Sequence, residues 1–321
     1  MDSKKGCLTR REFIKATAGL AIVGGAGLSL VGCQESQRTQ AVRTRFRYAM
    51  CNESMQQLDW AEQCKIVSEA GFTGIEIAPF TLVKEDVREL TVERRKEMVR
   101  VMKGSGLQCA GLHWLLMPPP KGLHFSTPDA AVREKTVAYV NLLIDFCGDM
   151  GGKVMVFGSP KQRGTQGNTV AEAKKIFADG LVRVADHAQA RKVRILIEPL
   201  DKTQTDVVNT TAEAVEIVKA INHPSIQTMF DFHNTKDETD DFVTLLKKYR
   251  TNIHHVHVME MDGKYLGTGN AVNDFVPAFQ YLKSVLYNEW VSLEVFDFTP
   301  GGKVIATESM KVLRQIEAKL T

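Results

Sequence analysis

From residue 45 onward, short runs of apolar and β-branched residues alternate with longer stretches in which apolar side chains recur every three to four positions. The short runs read as strands buried on both faces, and the longer stretches as amphipathic helices. Strands are expected at Phe46–Met50, Gly74–Ile77, Gln108–His113, Val154–Phe157, Arg194–Glu198, Ile226–Phe230, His254–Val258 and Trp290–Phe296. Helical period covers Leu58–Ala70, Val92–Gly104, Val132–Met150, Val170–Gln189, Thr211–Ile221, Phe242–Tyr249 and Val276–Leu286. Strict alternation implies a parallel sheet. Eight such units in about 275 residues match a closed (β/α)8 TIM barrel, an α/β fold, over residues 45–321. An open nucleotide-binding sheet is disfavoured, because no Gly-rich fingerprint follows the first strand.

Residues 1–44 carry a different pattern. Thr9-Arg10-Arg11-Glu12-Phe13-Ile14-Lys15 is a twin-arginine motif, followed by an uncharged Gly- and Ala-rich stretch from Ala16 to Gly32. That stretch is brief and only weakly apolar, which favours a signal peptide over a membrane span. Leu30-Val31-Gly32-Cys33 resembles a lipobox. The expectation is a Tat/lipoprotein signal over 1–32, lipidation at Cys33 and a polar tether over 33–44. The protein would then be exported and periplasmic, held to a membrane through its N-terminal lipid alone.

Removing that segment changes the charge balance. Residues 1–32 hold five basic and two acidic side chains, so the 41 basic and 38 acidic residues of the whole chain fall to 36 of each. A nucleic-acid enzyme is expected to carry a basic excess, so no nucleic-acid partner is anticipated. Cys51, Cys64, Cys109 and Cys147 lack metal-ligand spacing and read as free, buried thiols. Oligomeric state is left open.

In this architecture chemistry sits at the C-terminal ends of strands. Glu198 ends strand five, Asp231 strand six, His257 strand seven and Glu294 strand eight. An isolated carboxylate at an apolar strand end costs several kcal/mol unless a partner compensates it, and three converging ones repel unless a cation lies among them. Carboxylates with one imidazole suit one divalent metal of borderline hardness, Mn²⁺ first, with Zn²⁺, Co²⁺ and Mg²⁺ as competitors. Strand alternation puts His255 and His257 on one face and turns His254 toward the helices. His113, at the end of strand three, reads equally as a substrate contact or a core histidine. His187 and His223 read as solvent-facing, while Tyr48 and Glu76, ending strands one and two, are candidate pocket residues.

Glu198-Pro199-Leu200, Asp231-Phe232-His233, His255-Val256-His257 and Glu294 resemble the xylose-isomerase-like barrel superfamily, specifically its sugar phosphate isomerase/epimerase group. The resemblance implies that Glu198, Asp231, His257 and Glu294 hold the metal. It also implies that Glu198 and Glu294 double as the catalytic acid/base pair, and that His233 and Trp114 contact a carbohydrate substrate. The chain departs from the group in three places. It reads D-x-H rather than D-x-x-H after strand six, and Gln204 stands where many epimerases carry glutamate. Where an arginine often follows the strand-seven histidine, it has Lys264. Lys264 and Arg163 are therefore candidates for gripping substrate, Lys264 without the bidentate fork of arginine.

The common chemistry is proton removal next to a carbonyl, from which epimerisation, isomerisation and β-elimination branch. Phosphorylated sugars are cytoplasmic, whereas glycosides are abundant outside. The first expectation is therefore a 3-keto-glycoside lyase, with an isomerase or epimerase of a free ketose as the alternative. A sugar-binding lipoprotein and an endonuclease IV-like enzyme rank below. The latter needs an added Asp-x-His after the strand-seven histidine, and Glu260 to Gly269 contains no histidine.

Overall fold

Eight parallel strands are hydrogen-bonded in sequence order, and the eighth returns to the first. They are β1 (Arg47–Cys51), β2 (Gly74–Ile77), β3 (Gln108–Leu112), β4 (Val154–Phe157), β5 (Arg194–Ile197), β6 (Ile226–Asp231), β7 (Ile253–Val258) and β8 (Trp290–Leu293). The computed structural model describes residues 46–321; the expected signal over 1–32, the expected lipidation at Cys33 and the expected tether over 33–44 lie outside the described residues. The expected (β/α)8 TIM barrel is the fold observed. Among the described residues no helix is long and apolar enough to cross a membrane.

Helices follow the strands: α1 (Trp60–Ala70), α2 (Val92–Gly104), α3 (Ala130–Met150), α4 (Val170–Ala190), α5 (Thr211–Ile221), α6 (Phe242–Tyr249), α7 (Ala271–Asp274), α8 (Val276–Ser284) and α9 (Gly302–Ala318). Their starts are written locally. Asp59, Thr91, Asp129, Thr169, Thr210 and Asp241 each accept a backbone N–H of the first turn, and such a cap contributes about 1 kcal/mol. Two helices stop at a left-handed glycine, Gly71 (φ 99°) and Gly151 (φ 83°), a conformation that costs glycine little.

The last strand departs furthest from its expected bounds. It ends at Leu293, not Phe296: Glu294 N–H still reaches Val258 O on β7 at 3.3 Å, but Phe296 N–H bonds Gly263 O in the loop after β7 at 2.8 Å. The helix that strict alternation calls for after strand eight is α9, which closes the ring of helices by packing against α1. Its buried Ile305, Leu313 and Ile316 recur at helical spacing.

Between barrel and helices the core is aromatic. Phe125, Phe157 and Phe177 pack within 4.9–5.6 Å of one another, and Phe230, Phe232, Phe242, Phe275 and Phe279 form a second group. A fully buried Phe contributes roughly 1.5–3 kcal/mol, so these groups anchor α4, α6 and α8 to the sheet. Cys51, Cys64, Cys109 and Cys147 are free and buried, as expected. His254 turns out of the barrel to Glu289 (3.3 Å), also as expected.

One strand contact leaves no slack. Gly111 on β3 faces Val154 on β4, and a methyl group on it would run into the Val154 carbonyl and lie 2.6 Å from Val154 Cγ2. Backbone cannot move aside cheaply, so Gly111→Ala should cost ~1–3 kcal/mol of stability. In urea unfolding this appears as a lower midpoint at unchanged slope; an unchanged midpoint would contradict the packing.

Candidate active site and metal centre

The barrel register brings the four strand-end residues together. Asp231 is the last residue of β6 and pairs with His257 on β7, which in turn pairs with Ser292 on β8. Glu294 and Glu198 each follow the last residue of their strand by one. Each of Glu198, Asp231, His257 and Glu294 offers one ligand atom, and these atoms lie within 4.8 Å of one another. All four side chains are buried.

Electrostatics at the cluster are strained. Burial and the neighbouring Glu294 charge push the Glu198 carboxyl well above the usual range. Burial likewise raises Asp231 to about 7, against the pull of His257. Burial alone would lower His257, but Glu76 and Glu294 outweigh it and hold the imidazole well above its ordinary value. Glu294 resists burial through His257, His113 and the Trp114 N–H, and lies below the usual carboxylate range. Three carboxylates share one imidazole in a buried site. Three oxygens and one nitrogen around a common point form a donor set that fits a divalent ion, and no other counter-charge lies among them.

Above the cluster opens a pocket of about 190 Å³, lined by Glu198 and Glu294, by Trp114, Met117, Leu200 and Phe296, and by Gly158–Gln162, Gln204 and Asn234. Trp114 and Gln204 therefore lie where the sequence put them. Trp114 stacks on Phe80 at 5.7 Å and donates from Nε1 to Glu294 Oε1 at 2.6 Å.

Other expected contacts fall elsewhere. Arg163 is fully buried and does not line the pocket; its guanidinium donates to the carbonyls of Phe157 (3.0 Å) and Val208 (3.2 Å). Buried, and tied to a carbonyl at the end of β4 and one in the loop after β5, it braces the wall rather than facing a substrate. Lys264 pairs with Asp262 at 2.7 Å, half exposed and outside the lining, so it does not replace the missing arginine. His113 resolves as a core histidine, fully buried with Nε2 2.8 Å from Glu53 Oε2. His233 is buried behind Phe296, with ring centroids 5.2 Å apart, and only its backbone N–H touches the cluster, at Asp231 Oδ1 (2.9 Å). Tyr48 and Glu76 are buried and outside the lining as well. His187 and His223 lie outside the barrel on Asp145 and Asp186.

Asn234 was missed. Its Nδ2 donates to Asp231 Oδ2 (2.6 Å) and Glu198 Oε1 (3.3 Å), and its Oδ1 accepts from Gln204 Nε2 (2.6 Å). Only the amide nitrogen can serve two carboxylates, so this orientation is forced. A signal was present: Asn234 stands three residues after Asp231, at the position the related pattern gives to histidine. Gly158 was missed too. A methyl group on it would overlap Glu198 Oε2 and approach Glu198 Cδ to 3.4 Å.

In the family-model comparison, residues 64–316 match the model described as "Xylose isomerase-like TIM barrel". A probable ketose 3-epimerase of Synechocystis is 23% identical over 270 residues, covering 76% of this chain and 86% of that protein. The crystal structure of D-psicose 3-epimerase with D-tagatose from Clostridium cellulolyticum H10 superposes with a TM-score of 0.74 at 19% identity, covering 86% of this chain and 99% of the other. The apo 3-keto-D-glucoside 4-epimerase of E. coli gives 0.70 at 19% identity, covering 85% and 100%. At such identities the superpositions establish a shared fold.

Two outcomes follow from the geometry. Gly158→Ala should displace Glu198 and weaken divalent-metal binding by ~10-fold or more while leaving the circular dichroism spectrum intact; titration calorimetry with Mn²⁺ checks this, and wild-type affinity would contradict it. Protons held by Asp231 and Glu198 in the metal-free protein must leave on ligation. Metal affinity should therefore climb as pH rises through the Asp231 value of about 7 and go on climbing while Glu198 and the His257 imidazolium, both held well above their ordinary values, give up their protons; a profile that is flat across neutral pH would contradict the site.

Proposed function

This chain belongs to the xylose isomerase-like TIM barrel family, and on that premise we propose that it is a divalent-metal-dependent keto-sugar epimerase. The observation that carries this reading is the placement of Glu198 and Glu294 on one small pocket, with β6 and β7 between their strands, as two of the four clustered donors. Relatives named as a ketose 3-epimerase and a 3-dehydro-D-guloside 4-epimerase support epimerisation over the β-elimination expected first. The pocket is smaller than the ~300 Å³ from which drug-sized sites begin, which suits a single sugar ring.

The residues divide the work. A divalent ion held by Glu198, Asp231, His257 and Glu294 would polarise the sugar carbonyl and the adjacent hydroxyl as a Lewis acid. Glu198 has Oε2 without a hydrogen bond among the described residues, because Asn234 engages only Oε1. Glu294 is held on both oxygens, by Trp114 and His257. One glutamate takes the proton from the carbon beside the carbonyl and the other returns a proton to the opposite face. Run backwards, their roles exchange, as an epimerase requires. Trp114, Met117, Leu200 and Phe296 wall the reacting carbon from water, which strengthens each charge interaction inside. Gln204 keeps Oε1 as an acceptor for a sugar hydroxyl, since its Nε2 is engaged by Asp201 and Asn234. Export, the lipid at Cys33 and manganese as the resident ion remain part of the proposal, supported by the twin-arginine motif, the lipobox-like segment and the donor set.

The test is incubation of metal-loaded protein in D₂O with a panel of free ketoses and 3-keto-glucosides. One deuteron should appear at the epimerised carbon. Glu198→Gln and Glu294→Gln should each lower turnover by roughly 10²–10⁴-fold. Aglycone release from a 3-keto-glucoside without epimer formation would restore the lyase. Sugar binding without turnover by the wild type would make the protein a receptor.

A further inference from the structure

Beneath the four-residue cluster lies a second polar layer that the proposed reaction does not use. Glu76 is the third residue of β2, and its carboxylate crosses the barrel interior to β7, a strand β2 does not pair with. Its Oε1 lies 3.2 Å from His257 Nε2, and its Oε2 lies 2.7 Å from His255 Nε2. All three side chains are fully buried. The same layer contains the Glu53–His113 pair, whose His113 Nδ1 is 3.9 Å from Glu76 Oε1.

Hydrogen-bond accounting decides the rest. A carboxylate has no hydrogen to give, so both Nε2 atoms facing Glu76 must donate. His257 faces carboxylates on both sides, so without an ion Nδ1 donates to Glu294 as Nε2 does to Glu76; an ion takes the place of the Nδ1 proton, and the Nε2 proton stays with Glu76. That Nδ1 points into the cluster, 3.0 Å from Glu294 Oε2 and 3.9 Å from Glu198 Oε1. The opposite tautomer would direct an N–H at the place where a cation must sit. His255, on the same strand face, keeps the far oxygen of Glu76 occupied and so holds the carboxylate across the barrel.

We propose that Glu76 is a positioning residue of the metal centre: by accepting the Nε2–H of His257 it fixes the tautomer and ring angle that present Nδ1 to the ion. Glu76 touches neither the pocket nor the ion. It rests on the metal-centre reading but not on the identity of the sugar. A carboxylate behind a ligating imidazole orients the ring and raises its basicity, and its loss typically weakens metal binding 10–100-fold. Glutamine in its place retains one oxygen, which can still accept from His257, while its NH₂ can meet His255 only if that ring presents a lone pair.

Two measurements test this on the full chain. Calorimetric titration with Mn²⁺ or Zn²⁺ should show affinity about 10–100-fold weaker in Glu76→Ala, with Glu76→Gln recovering part of the loss. In the zinc-loaded wild type, ¹⁵N resonances of His257 should place the proton on Nε2 and the metal on Nδ1. Wild-type affinity in Glu76→Ala, a Gln variant no better than Ala, or zinc on Nε2 would each overturn the assignment. If the Ala variant fails to fold, the Gln variant and the resonance assignment decide it alone. A wild-type chain that binds no divalent ion sinks the metal centre together with this inference. A chain that binds the ion but turns over no keto-sugar sinks only the epimerase.

Discussion

Like charges brought together out of water are what the rest of this structure answers to. Glu198, Asp231 and Glu294 converge at the barrel mouth with one imidazole among them, and burial raises two of the three carboxyls. A hydrophobic strand end would tolerate none of them alone. Their presence is explicable if a cation shares the point they surround, and every surrounding device helps to hold them there. Asn234 bridges two of them, Trp114 and His257 hold the third, and Gly158 leaves out the side chain that would displace Glu198.

The polar layer below is built on a different plan. There acids and imidazoles are paired directly, Glu53 with His113 and Glu76 with His255 and His257. Direct pairing lets these groups stay buried without an ion. His257 belongs to both layers, offering one nitrogen to each. This division accounts for a barrel interior with so many buried ionisable groups beneath a site that still needs a counter-charge of its own.

The pocket wall is where this chain has gone its own way. Gln204 and Asn234 form an amide pair running from Asp201 to the metal cluster, where the related pattern has a glutamate and a histidine. The two candidate cations for gripping substrate are committed elsewhere, Arg163 to the carbonyls of Phe157 and Val208 and Lys264 to Asp262. Among the described residues lining the pocket, Lys161 is the cation that remains. A substrate read by neutral amides and apolar rings is selected by hydroxyl placement and ring shape more than by charge.

The barrel and its four-residue cluster were legible in the sequence because both follow from rules of short range. Apolar period separates strand from helix, and strict alternation brings all strand ends to one face, so Glu198, Asp231, His257 and Glu294 had to be neighbours. The same logic turned His254 outward, whereas Trp114 and Gln204, which line the pocket, were singled out by the family resemblance alone. It could not decide which polar side chains near the mouth reach it. Arg163 and Lys264 are where a substrate contact could be, but each met a closer partner, and His113 met Glu53. Those partners lie on other strands or in loop folds whose conformation no local pattern encodes. Glu76 shows this most plainly: its role depends on β7, which is 179 residues away in sequence at His255 and is brought opposite only by closing the barrel. What the sequence determined was the set of donors; which of them gather in the cluster, line the pocket or pair with one another was decided by packing, because a buried polar group takes the nearest partner that satisfies it.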